Sequence, residues 1–82
     1  MNDNLLSIID NITQMICNEL KLDSIDSSVN LIDVGVDSLT FINIIIKLED
    51  YFGVEFPHEK LSIRESNTIL KLSETIECLL YI

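Results

Sequence analysis

The chain has 82 residues, 48% of them apolar, with fourteen acidic side chains against five basic ones and a net charge of −9. A length of 82 makes one domain, residues 1–82, and folding at this size hides only about 60% of the unfolded surface, which argues against a large enzyme cleft. So acidic a surface repels nucleic acid and anionic membrane, and the expected partner surface is basic or apolar.

The start, Met1-Asn2-Asp3-Asn4, lacks the basic residues of a signal peptide. The apolar run near Ile44 is too short and too interrupted to span a bilayer, so a cytoplasmic protein with no membrane partner is expected. From Asp3 to Leu20, apolar Leu5, Ile8, Ile9, Ile12, Ile16 and Leu20 recur at three- and four-residue steps, with Asp10, Asn11, Gln14 and Asn18 between them. This spacing predicts a one-sided helix, capped by Asp3 or Asn4.

Residues 21–37 concentrate turn formers: Asp23, Ser24, Asp26, Ser27, Ser28, Asn30 and Gly35. Leu22, Ile25, Val29, Leu31 and Ile32 are interspersed and should pin this long loop to the core. Loops of such length without regular structure are uncommon in compact domains and usually functional. This one delivers the chain to Ser38.

Ser38 stands where a helix N-cap belongs, after the permissive Gly35, and Gly53 is the matching stop. The helix between them would be about 22 Å long. At 100° per residue, Phe41, Ile44, Ile45, Leu48 and Phe52 fall within about one 100° sector, as a core stripe should. Leu39, Ile42 and Ile46 fall about 140° away. One buried face cannot absorb both stripes, so the second is expected to bind partners.

Beyond Gly53, Val54-Glu55-Phe56-Pro57 predicts an extended turn, because the residue before Pro avoids helical angles. Lys60 to Glu65 allows a short helix or a single turn. A last helix should start at Asn67 or Thr68, with Ile69, Leu72, Ile76, Leu79 and Leu80 on its apolar stripe. The whole predicts an all-α fold: a small four-helix bundle of three longer helices and one short one, with a long loop between the first two.

Leu31-Ile32-Asp33-Val34-Gly35-Val36-Asp37-Ser38-Leu39 resembles the attachment motif of acyl and peptidyl carrier proteins. The order of elements around it, including Leu48 to Pro57, extends the resemblance over nearly the whole chain. It implies that Ser38 receives 4′-phosphopantetheine from coenzyme A, whose terminal thiol holds an acyl or aminoacyl group as a thioester. A phosphate ester there would also be favoured by the free amides and dipole of a helix start. Asp37 has two readings: a solvated acid favourable near a helix start, or, as the resemblance implies, a group beside the incoming phosphopantetheine during magnesium-dependent transfer.

The resemblance further implies a free-standing, monomeric carrier that is not itself an enzyme. Its partners would be a phosphopantetheinyl transferase, an acyl- or aminoacyl-loading enzyme, and downstream synthase or condensing enzymes. The expected docking residues are Leu39, Ile42, Asn43, Ile46, Glu49 and Asp50. In one respect the chain departs from the fatty-acid type: Thr40 and Asn43 are neutral where that type carries acids early in the helix. With the Leu31-Ile32 pair, similar to the pair of peptidyl carriers, this favours specialised metabolite assembly over bulk fatty-acid synthesis. The rival reading is an acidic helical interaction module whose serine is never modified.

Other chemistries find less support. A serine nucleophile needs a base within hydrogen-bond reach, and the single histidine, His58, follows Pro57 in a polar turn. Asp23, Asp26, Asp33 and Asp37 lack the alternating ligands and terminal Glu of a calcium loop. Cys17 and Cys78 have neither metal-site spacing nor neighbouring histidines and read as buried free thiols.

Overall fold

A computed structural model describes residues 3–81, with side chains from Leu5 onward. Three α-helices carry the fold: α1 (Asp3–Leu20), α2 (Ser38–Phe52) and α3 (Ile69–Leu80). Two short 3-10 turns, Leu31–Val34 and His58–Lys60, lie in the connections, and no strand occurs among the described residues. The fold is all-α, as the periodicity predicts. The expected fourth helix is only the 3-10 turn at His58–Lys60, followed by irregular turns up to Ser66.

Helix α1 buries Ile8, Ile12 and Ile16, one per turn, against α3 and α2. The cap expected from Asp3 or Asn4 lies outside the described residues, as those side chains do. At the other end Lys21 adopts a left-handed φ of 59°, and the N–H of Leu22 closes back on the carbonyl of Cys17 at 2.9 Å. This is the geometry usually given to glycine after a helix.

The loop to α2 has more regular structure than its composition suggests. Asp26 Oδ1 accepts from the N–H and the hydroxyl of Ser28, at 2.8 and 2.6 Å. Asn30 Oδ1 accepts from Ile32 N–H and starts the 3-10 turn, which Gly35 ends at a φ of 96°. Leu31 is fully buried. The loop is also tied to the start of α3: Leu31 N–H donates to the Asn67 carbonyl at 2.8 Å, and Leu70 N–H to that of Ser27 at 3.0 Å. The segment before Ser38 thus rests on a helix entry far away in sequence, whose backbone groups satisfy its own.

Helix α2 buries Phe41, Ile44, Ile45 and Leu48, the predicted stripe, with Phe52 partly buried beside them. Gly53 (φ 68°) ends it by donating to Glu49 O at 2.8 Å. The chain then runs extended through Pro57 and tucks in Phe56. Thr68 caps α3 by accepting from Lys71 N–H at 3.1 Å, and Ile69, Leu72 and Ile76 close the core. Ser73, also fully buried, donates its hydroxyl to the carbonyl of Ile69, so it fits the apolar face without a lost hydrogen bond.

Two expectations for α3 fail at its C-terminal end. Leu80 is exposed, and Leu79 alone packs on the core there; α1 covers only part of the circumference of α3, and Leu80 points outside that sector. Cys78 is exposed for the same reason, and Cys17 is half-buried, so neither is the buried thiol its apolar surroundings suggest; both are free. Among the described residues no helix is long and apolar enough to cross a membrane.

Candidate functional site

The 3-10 turn, Gly35 and the buried Val36 bring the chain onto the start of α2. The helix is capped by Asp37, not by Ser38. Asp37 has extended backbone angles (φ −96°, ψ −179°), and its Oδ1 accepts from Thr40 N–H at 2.8 Å. Its carbonyl accepts from Phe41 N–H at 2.9 Å. Either residue is a good cap by type, and the extended backbone next to the buried Val36 selects the earlier one. The donor to the cap is a backbone N–H, which any residue but Pro supplies three positions on, so sequence alone leaves Asp37 and Ser38 equal.

Capping also governs the acidity of Asp37. The backbone hydrogen bond from Thr40, foremost, holds its carboxyl below the ordinary value of 3.8, since the bond is made to the charged form. The correction leaves Ser38 as the first residue of α2, exposed and relieved of capping. Ser38 and Leu39 carry amides with no acceptor within the helix. An exposed hydroxyl at the positive end of a helix suits a phosphodiester in both space and charge.

From Ser38 the exposed side of α2 continues as an apolar stripe. Leu39, Ile42 and Ile46 are 73%, 38% and 56% exposed. Asn43 and Asp50 are exposed beside them, and Ile32, in the preceding turn, is exposed too. Glu49 differs from the rest of the expected docking set. It is half-buried, and its Oε2 accepts from Phe56 N–H at 2.8 Å. Sequence spacing carries no sign of this bond, because the partner lies beyond the end of the helix.

His58 is exposed on its own turn, in a separate element from the one that bears Ser38. A cleft of about 430 Å³ opens between Pro57, Lys60 and Glu65 and one side of α3 along Lys71, Thr75 and Cys78. It includes none of the predicted site residues.

A family model described as "Phosphopantetheine attachment site" matches residues 10–76. An acyl carrier protein homolog of Ureaplasma parvum serovar 3 is 41% identical over 44 residues, which cover 54% of this chain and 57% of that relative. The match thus spans little more than half of the relative's length.

Proposed function

Because this chain belongs to the phosphopantetheine attachment family, we propose that Ser38 is the residue that bears its 4′-phosphopantetheine and that the exposed side of α2 is where partner enzymes dock. The chain is a carrier and not a catalyst. When attached, the prosthetic group supplies a thiol that holds cargo as a thioester. The protein's own residues contribute position and recognition: tethering raises the effective concentration of a substrate at each docked enzyme.

The observation that carries the assignment of Ser38 is its place as the exposed first residue of α2, with Asp37 capping in its stead. One oxygen of Asp37 is engaged by Thr40. Asp37 thereby keeps an ionised carboxyl next to Ser38, where the incoming phosphopantetheine would be transferred. The partners are a phosphopantetheinyl transferase, a loading enzyme for acyl or aminoacyl groups, and condensing enzymes that take the cargo on. Their docking sites would be apolar, to receive Ile42 and Ile46, with basic rims facing Asp33, Asp37 and Asp50. Neutral Thr40 and Asn43 early in α2 shift recognition from charge towards apolar contact, which supports assembly of specialised metabolites over bulk fatty-acid synthesis.

Intact-mass measurement after incubation with a phosphopantetheinyl transferase, coenzyme A and magnesium tests the reading. A single addition of one phosphopantetheine, absent in Ser38→Ala, is expected. Addition to Ser38→Ala would move the site elsewhere. Protein that stays unmodified, in the assay and when purified from its own cell, would support an unmodified interaction module instead.

A further inference from the structure

We infer that Glu19 is a specificity-determining positioning residue: by holding Lys47, it keeps positive charge off the docking side of α2. The inference rests on the docking role proposed above and concerns a side chain on a different helix. Lys47 is the single base in the fifteen residues of α2. Its Nζ is paired with Oε1 of Glu19, in the last turn of α1, and this is the one ion pair among the described residues. The Glu19 side chain is 27% exposed and that of Lys47 56%. The carboxylate is therefore the anchored partner and the ammonium the mobile one.

Position makes the pair consequential. Lys47 directly follows Ile46, and helical spacing places Asn43 one turn before it and Asp50 one turn after. The lysine stem is long and flexible. Released from Glu19, the ammonium can reach Asp50 or swing over Ile46, and either movement sets a cation at the rim of the apolar stripe. The other exposed charged residues of α2 and of the segment from Leu31 that leads into it are Asp33, Asp37 and Asp50, all acidic. Glu19 thus holds the rim acidic, so that it attracts a partner with a basic rim and disfavours one with an acidic rim. Charges at an interface rim act mainly on encounter and on salt dependence.

The test follows KM and kcat of this protein as the substrate of a phosphopantetheinyl transferase whose docking face is basic, in low and in physiological salt. The variants are Glu19→Gln, Lys47→Met, the two combined, and Ile46→Asp, each shown by melting to be folded at the assay temperature. Glu19→Gln should raise KM about two- to threefold in low salt, as expected for one unit charge about 8 Å from another in water. The effect should leave kcat unchanged and shrink in physiological salt. In the Lys47→Met background Glu19→Gln removes only its own charge, with no cation left to release, and should raise KM less than it does in the wild type. An unchanged KM for Glu19→Gln, or a rise as large without Lys47 as with it, overturns the inference. Ile46→Asp distinguishes the two levels: if it raises KM while Glu19→Gln does not, only the inference falls, and if it too has no effect, the docking reading falls with it.

Discussion

Glu49, in the last turn of α2, accepts a hydrogen bond at 2.8 Å from the backbone N–H of Phe56. The bond folds the chain back beneath the helix it has just left and sets the Phe56 side chain into the core, where it is 6% exposed. Together with the left-handed Gly53 it decides the course of the connection to α3. Glu49→Ala should lower stability by about 1–3 kcal/mol, because a backbone donor beside the core loses its acceptor. Each kcal/mol corresponds to a shift of about 4–8 °C in the melting midpoint of a domain this small. Glu49→Gln keeps an acceptor and should lose less. Equal midpoints for wild type and Glu49→Ala would show that packing of Phe56, not this bond, sets the connection.

The division of labour between Asp37 and Ser38 makes a contrast that melting can read. Ser38→Ala removes no cap and should cost less than about 0.5 kcal/mol, below the usual cost of losing one. Asp37→Ala should lower the midpoint by several degrees. If Ser38→Ala proves the more damaging of the two, the serine is the cap.

Asp37 also ties stability to acidity. Its folded carboxyl is held below 3.8, first by the hydrogen bond from Thr40, so the stability it contributes is complete above the unfolded value. That contribution is lost as the pH falls through the lower folded value. Asp26 is depressed in the same sense by the Ser28 hydroxyl and N–H and loses its contribution over the same acid range. Asparagine caps nearly as well as aspartate and does not titrate here. Asp37→Asn should therefore melt near wild type at pH 7 and show a shallower loss of midpoint below about pH 4. Parallel acid curves for the two proteins would mean that Asp37 does not hold this cap in solution.

On α2, Ile42 and Ile46 are exposed while Leu48 is fully buried. Ile42→Asp and Ile46→Asp should stay folded with little change in midpoint, whereas Leu48→Asp buries an unpaired charge and should unfold the domain. Circular-dichroism melts beside loading rates separate the roles. Loss of loading in folded Ile42→Asp and Ile46→Asp is expected. Normal loading would leave the stripe exposed but idle, and melting like Leu48→Asp would make it core.

With a net charge of −9 and Glu19–Lys47 as the one ion pair among the described residues, the acids mainly repel one another. Raising salt from low to physiological should lift the melting midpoint by screening that repulsion. A midpoint that stays level would show that the acids are too widely spaced for repulsion to matter.

Local pattern was enough for much of this protein. The apolar repeat from Leu5 to Leu20 marked α1, and the count along α2 separated Phe41, Ile44, Ile45 and Leu48 from Leu39, Ile42 and Ile46, because helical periodicity is contained in one segment and needs no partner. The motif around Ser38 pointed to the family for the same reason: its residues are consecutive. Tertiary structure decided the rest. It chose Asp37 over Ser38 as cap through backbone angles that follow the burial of Val36, and it took Glu49 for Phe56 and Lys47 for Glu19. It bound Leu31 and Leu70 to backbone carbonyls some forty residues away in sequence, and it left Leu80 and Cys78 exposed at the C-terminal end of α3, outside the sector that packs on the core. Each of these depends on which segments the collapsed core brings within hydrogen-bond distance or leaves uncovered, and spacing along a single helix does not encode that.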